Sequence, residues 1–303
     1  MLLVTGATGF LGSNLMKSLS KKREDIRILV LDVEKAKKMY PKFEIVKGDI
    51  TKPETLKHVG KDVDIVIHLA GIVSYTKPKD LIFKINVEGT KNILEECKEA
   101  DKFIFSSSVA VYGEIKGQAD ESYPRNPNNF YGASKMEAEN IIRDSEIPNV
   151  IFRIAPIYGV GSPQWFKNLS LLEKGFPIPN TKNLTHVCHI SNAVQAFELA
   201  LKRSKAQGIY NIADYEPVKF VDFASELIRL LGREPVIYPM WFVKFIAKMK
   251  RMKPYLDVLI MNRNYDIYNA EHELGYEPKI DFWEEIKKMV EWYKKEKIKQ
   301  KLN

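Results

Sequence analysis

Cysteine is nearly absent: Cys97 and Cys188 are the only two in 303 residues. So few and so far apart, they argue against a disulfide framework and suit reduced thiols, so a cytoplasmic protein is expected. Long apolar runs are missing as well. No stretch approaches the roughly 18 consecutive apolar residues of a membrane span. The opening MLLVTGATGF has neither a basic leader nor an extended apolar segment, so no secretory signal is expected. Internal repeats and low-complexity linkers are lacking too, which argues against an array of small modules. Histidine is scarce, at five residues. Two of them flank a cysteine in HVCH, residues 186–189, but on a strand His186 and Cys188 face one side and His189 the other, so no shared metal is expected there.

What is present is an ordinary globular composition, 45% hydrophobic and 28% charged, in a chain long enough for one large domain or two. The net charge of +8 suits an anionic partner: nucleic acid, a membrane surface or a substrate. Much of the excess sits in EEIKKMVEWYKKEKIKQKLN at the C-terminal end. Lysine and glutamate there cover what reads as the solvated face of a helix, so no nucleic-acid partner is expected.

Short apolar segments alternate with helical ones. LLVTG, IRILVLD, FEIVKGD, DIVIHLAG, KFIFSSS and NVIFRIA each read as a buried strand, and SNLMKSLSKK and EGTKNILEECKEA as helices between them. Near-continuous apolar strands separated by helices predict a parallel sheet covered on both faces, an α/β doubly wound fold. The expected division is a nucleotide-binding domain over 1–155, to which the chain returns around 184–213, and a substrate-binding lobe over most of 156–303. GVGSPQWF and KGFPIPN break the alternation at the start of that lobe.

The first strand runs straight into GATGFLG, with Gly6, Gly9 and Gly12, and then into a helix. Small residues at such a turn let the backbone approach a pyrophosphate, whose charge the helix N-terminal amides bind. Asp32 closes the second strand twenty residues after Gly12, where an acid can take both hydroxyls of a ribose and repel a 2′-phosphate. Lys35, Lys37 and Lys38 follow closely and would blunt that preference. Farther on, YGASK sets Tyr131 and Lys135 one turn apart on one helix face, where an ammonium can favour phenolate at neutral pH. For an isolated pair at this spacing, a solvated helix face is the commoner case.

The GxxGxxG spacing, followed in order by KGDI, IHLAG, NVEGTKN, FIFSSSVAVYG, YGASK and HELGYEP, resembles the extended short-chain dehydrogenase/reductase family over nearly the whole chain. That family comprises nicotinamide-dependent epimerases, dehydratases and related dehydrogenases. The resemblance implies a Rossmann-type fold, NAD as cofactor, a small-molecule substrate, and Tyr131 as proton donor or acceptor. Lys135 would lower the phenol pKa while holding the nicotinamide ribose, and Ser108 would hydrogen-bond the reacting oxygen. For Ser106 and Ser107 the plainer reading is turn and strand-end bonding. The implied cofactor contacts beside Tyr131 and Lys135 are Gly6, Thr8, Gly9, Phe10, Leu11, Gly12, Asp32, Asp49, Ile50, Leu69, Ala70, Gly71, Asn86, Pro156 and Ile157. Among them Asp49 would meet the adenine and Asn86 would position Lys135 or a relay water. His68 reads as a structural histidine, and Tyr75, Tyr112 and Tyr158 as residues lining a substrate cleft. Relatives commonly pair through the Tyr-Lys helix and the helix before it, so a homodimer is expected; Ile93, Leu94 and Cys97 on neighbouring faces are consistent with that contact.

The substrate is less legible. Family members that make 4,6-dehydrated sugars carry an acidic pair just after the catalytic hydroxyl, and Val109 and Ala110 stand there, so no 4,6-dehydratase is expected. Nucleotide-sugar epimerases typically hold the diphosphate with an asparagine after the sixth strand and an arginine before the later HV-type strand. Here those places read Pro156 and Thr185, leaving Lys167, Lys174 and Lys182 as nearby basic candidates. A competing signal is MWFVKFIAKMKRMK, residues 240–253. Trp241, Phe242, Phe245, Ile246, Met249 and Met252 form one broad face there, with Lys244, Lys248 and Arg251 read as opposite it. Such a helix can lie on an anionic membrane or cap an apolar pocket; the plainer expectation packs the aromatic face on the core. The first expectation is therefore an NAD-dependent nucleotide-sugar epimerase or related sugar dehydrogenase, acting by hydride transfer at a secondary alcohol or ketone. The second is an oxidoreductase of an apolar alcohol, resembling the hydroxysteroid dehydrogenase and dihydroflavonol reductase branches. A non-enzymatic dinucleotide sensor is a third, and it has no need of Ser108, Tyr131 and Lys135 together.

Overall fold

The computed structural model describes residues 1–302 and is built on one sheet of seven parallel strands. The six segments read as strands are β1 (Leu2–Thr5), β2 (Ile26–Val30), β3 (Glu44–Lys47), β4 (Ile65–His68), β5 (Lys102–Ser108) and β6 (Asn149–Ile154). Gly208–Ile212 adds a seventh beside β6, so the chain comes back to the sheet after leaving it. Across the sheet the order is Gly208–Ile212, β6, β5, β4, β1, β2, β3. Parallel neighbours cannot be joined by tight turns, and helical crossovers supply the connections. Those that frame the site are α1 (Phe10–Leu19), α2 (Val33–Met39), α3 (Lys79–Phe83), α4 (Gly89–Glu96) and α5 (Phe130–Arg143).

Period-two alternation divides the strand side chains between two cores. Leu2 and Val4 join Leu15 and Met16 of α1 and Phe197 of the Ile190–Lys202 helix. Leu3, Phe103 and Phe105 join Ile93, Leu94, Cys97, Ala138 and Ile142. Two expectations are corrected here. Ile93, Leu94 and Cys97 lie in the chain's own core and cannot also form an apolar face toward a second copy. FEIVKGD is a strand but not a buried one: β3 is the sheet's edge, and its residues are half-buried or exposed.

The C-terminal part has its own core of Leu169, Phe223, Leu227, Ile286, Met289 and Tyr293, drawn from three helices, Pro163–Glu173, Phe220–Leu230 and Phe282–Leu302. The last helix does present a charged outer side, where Lys288 pairs with Glu285 and Lys299 with Glu296. The Met240–Met249 helix packs differently from expectation. Its buried seam is Val243 and Ala247 against Leu256, while Trp241, Phe245 and Met249 face outward. Small residues at the seam let the helix approach closely, and at 100° per residue the 241, 245, 249 row falls on another face. By the same geometry Lys248 lies about 20° from Trp241, beside the aromatic row and not opposite it. No described helix is long and apolar enough to cross a membrane.

Candidate active site

The strand order reverses between β1 and β4, which opens a crevice at their C-terminal ends. Gly6 turns the chain there at φ +70°, and a Cβ on it would lie 2.7 Å from the Ala70 amide nitrogen. A Cβ on Gly12 would lie 2.2 Å from the Gly6 carbonyl oxygen, so no other residue fits without moving the loop. Gly9 caps α1 with no side-chain bond, which leaves the first-turn amides available to an anion. The loop is held by Tyr40, whose hydroxyl donates to the Ala7 carbonyl at 2.9 Å, and by the Ala70 amide donating to Thr5 Oγ1 at 3.1 Å. These features fit a dinucleotide pyrophosphate. Thr8, Phe10 and Leu11 are half-buried on the same loop and first helical turn, and Ile50, Leu69, Ala70 and Gly71 follow β3 and β4. Pro156 is exposed after β6, and Ile157 is half-buried beside it.

Asp32 is exposed and caps α2, its Oδ1 accepting the Lys35 amide at 2.9 Å. Asp49 accepts from both the amide and the hydroxyl of Thr51, and the amide bond is the main cause that holds its carboxyl below the usual range. Asn86 sits in a wide helical turn, Lys84–Glu88. Its Oδ1 accepts from the Ile72 amide at 2.8 Å, and its Nδ2 donates to the Ile72 carbonyl at 3.0 Å and to Ser134 Oγ at 2.9 Å. Ser134 in turn donates to the Tyr131 carbonyl at 2.8 Å. Asn86 thus ties the loop after β4 to the helix of Tyr131 through Ser134, a residue the sequence reading passed over although it lies inside YGASK.

Ser108 ends β5, and Asn129 caps α5 by accepting the Gly132 amide at 2.8 Å, which sets Tyr131 in the first turn of that helix. The Tyr131 phenol is buried near Ser108, and the Tyr75 ring meets it edge-on at 6.0 Å. Burial pushes the phenol well above its ordinary pKa, Tyr75 adds to the rise, and the Ser108 hydroxyl pulls it down. Lys135 Nζ donates to the Ser106 carbonyl at 2.6 Å and lies 4.4 Å from the centre of the Phe105 ring. Burial lowers this ammonium to about 8, against the pull of Glu139. The two groups are therefore brought to one site, where burial of the phenol works against the lowering expected from Lys135. Gly71 closes the arrangement: a Cβ there would lie 3.1 Å from Asn86 Oδ1 and 3.7 Å from Lys135 Nζ.

A buried polar network lies beneath. Ser107 donates to Glu139 Oε1 at 2.5 Å, so it does more than the turn bonding expected of it. Glu139 pairs with Arg153 at 2.7 Å and Arg125 at 3.3 Å, and Arg153 donates to the Tyr112 hydroxyl at 3.0 Å. Tyr112 donates onward to Asn211 Oδ1 at 2.7 Å. One signal could have found this network: Arg153 is a lone charge in the apolar strand NVIFRIA and needs a buried partner. Glu139 extends the Tyr131 and Lys135 row by another turn of α5.

Other expected residues sort out by burial. His68 accepts or donates at Thr5 Oγ1 (2.8 Å) and Thr90 Oγ1 (3.1 Å), and burial lowers it to about 3, so it is a neutral structural residue as read. Tyr112 and Tyr158 are fully buried away from solvent, so of the three expected cleft tyrosines only Tyr75 borders the site. In HVCH, His186 bonds the Asp214 carbonyl and the Tyr265 amide, while His189 caps the Ile190–Lys202 helix through the Ser191 amide. Thr185 is buried, and Lys167, Lys174 and Lys182 are exposed. Val109 and Ala110 form the turn that follows Ser108.

The sequence profile described as "NAD dependent epimerase/dehydratase family" matches residues 2–213. The chain is 29% identical to a dTDP-D-glucose 4,6-dehydratase of Mus musculus, an alignment covering 97% of this chain and 88% of that protein. It is 29% identical to a UDP-glucose 4-epimerase of Vibrio cholerae over 91% of this chain and 90% of that protein. It is 28% identical to a decarboxylating sterol-4-alpha-carboxylate 3-dehydrogenase of Schizosaccharomyces pombe, covering 97% and 98%.

Proposed function

This chain belongs to the NAD dependent epimerase/dehydratase family, and we propose that it moves a hydride at a secondary alcohol or ketone of a nucleotide sugar, as an epimerase or a related dehydrogenase. The observation that carries the reading is the meeting of Ser108, Tyr131 and Lys135 on the rim beside the glycine crevice. In this reading the amides after Gly9 hold the pyrophosphate of NAD, Asp32 its ribose, Asp49 its adenine and Lys135 the nicotinamide ribose. Bound there, NAD supplies the hydride acceptor and, when oxidised, a cationic ring. Tyr131 takes the hydroxyl proton as the carbonyl forms and returns it in the reverse direction, and Ser108 donates to the same oxygen as its charge develops. Lys135, cationic below about pH 8, supplies positive charge on the same helix face and so counters the desolvation of the phenol.

Dehydration would need one group to remove a carbon-bound proton and another to protonate the departing hydroxyl. Val109 and Ala110 can do neither, so the reading departs here from the 4,6-dehydratase named among the relatives. A second reading, an apolar alcohol as substrate, is favoured by the sterol dehydrogenase relative and by Pro156 and Thr185, which offer no charge to a diphosphate. The homodimer belongs to this proposal, as does a cytoplasmic location, which suits the buried, unbridged Cys97 and Cys188.

Mass spectrometry of small molecules released from the purified protein, followed by a screen of UDP-sugars and apolar secondary alcohols for NADH formation or epimerised product, tests the reading. Turnover of a UDP-sugar supports it. Turnover of apolar alcohols alone moves the assignment to the second reading, and absence of both nicotinamide binding and turnover refutes it.

A further inference from the structure

The outer side of the Met240–Met249 helix carries a feature the active site does not use. Trp241, Phe245 and Met249 stand 71%, 56% and 68% exposed in one row spaced by four residues. The helix is anchored from below by Val243 and Ala247 against Leu256. The row therefore cannot turn inward without giving up that seam. Lys244, Lys248, Lys250, Arg251 and Lys253 are exposed around it, and residues 240–253 contain no aspartate or glutamate. Lys244 and Lys248 lie about 60° and 20° from Trp241 around the axis, so cations and apolar side chains share the outer half of the helix.

We propose that this helix docks the protein on an anionic phospholipid surface, with Trp241, Phe245 and Met249 entering the headgroup boundary and the basic residues facing lipid phosphates. Charge complementarity selects this occupant. A second copy related by a two-fold axis would bring the same five cations against these, and an apolar partner would leave them unmatched. Ten residues are too short to span a bilayer but suit a helix lying in its plane. The chain that follows this helix is tied to two neighbouring loops. Asn183 Nδ2 donates to the Leu259 and Met261 carbonyls at 3.4 and 3.1 Å, and Asn128, next to the cap of α5, reaches Met261 Sδ at 3.4 Å.

The test is flotation of the whole protein with phosphatidylcholine vesicles, pure or containing about 30% phosphatidylglycerol. Binding is expected to the anionic vesicles only and to weaken with salt. Lys244→Gln with Lys248→Gln should weaken it about 30-fold, from the usual worth of a basic residue near such a surface. Trp241→Ser with Phe245→Ser should abolish it. All four side chains are exposed, so unchanged melting temperatures are expected and serve as the folding control. Failure of the wild-type protein to float with anionic vesicles overturns the proposal, as does equal binding to both vesicle types. A change from dimer to monomer in Phe245→Glu would assign the face to a second copy. Loss of vesicle binding to a competing random oligonucleotide, with the Trp241→Ser, Phe245→Ser protein binding that oligonucleotide as tightly as wild type, would assign the lysines to nucleic acid.

Discussion

Lys135 occupies its place at a cost to stability. Its pKa falls from 10.5 to about 8 on burial, so between those values the unfolded chain binds the extra proton. Stability from this group therefore rises as pH goes from 8 to 10.5, and below 8 the folded protein carries the full penalty, about 3 kcal/mol. Lys135→Met, similar in length and uncharged, should raise the melting temperature at pH 7, with the gain shrinking as pH approaches 10.5. A lower melting temperature at pH 7 would show instead that the bond to the Ser106 carbonyl outweighs desolvation. The pairing of Tyr131 and Lys135 was legible because four residues on one helix are local information. Their surroundings were not, since the Ser106 carbonyl and the Phe105 ring reach Lys135 only once β5 lies beside α5. Burial of the phenol is likewise a tertiary effect, which the local spacing of Tyr131 and Lys135 does not report.

At the scale of elements, β2 and α2 meet at Asp32, which serves the fold by capping and the proposed function by meeting a ribose. Asn caps as well as Asp but carries no charge. Asp32→Asn should therefore keep stability while narrowing the preference for NAD over NADP in calorimetric titration, whereas Asp32→Ala should also lose about 1 kcal/mol of stability. Tighter NADP than NAD binding by the wild-type protein would remove Asp32 from the ribose. The buried pair of Glu139 and Arg153 links α5 to β6 under the catalytic residues. Glu139→Gln strips its charge and leaves Arg153 buried, so a loss of about 3–5 kcal/mol is expected in denaturant melts. A loss below about 1 kcal/mol would mean that the network is adequately solvated or replaced. Element identity was well marked in the sequence because near-continuous apolar runs report burial on both sheet faces. The packing of the Met240–Met249 helix was not, because its apolar residues run nearly all round and only the tertiary seam at Val243 and Ala247 decides which side is covered.

For the whole molecule, the order of motifs along the chain anticipated the doubly wound sheet, and the chain does return to it at Gly208–Ile212. The assembly was less legible, since an apolar residue reads alike whether its own core or a second subunit covers it. Ile93, Leu94 and Cys97 proved to be core, so the proposed homodimer must pair through other residues of α4 and α5. Light scattering at micromolar concentration should give twice the 34.9 kDa chain mass, and a strictly monomeric mass would contradict it. The central claim is that Tyr131 is the proton-transfer group of a hydride-transfer site, and one comparison tests it most directly: turnover of Tyr131→Phe and wild-type protein on a substrate found in the screen, with NAD affinity measured alongside. Removing one hydroxyl leaves the ring in place. Turnover should fall by about 10² to 10⁴ with NAD affinity nearly unchanged, and wild-type turnover from Tyr131→Phe would contradict the mechanism.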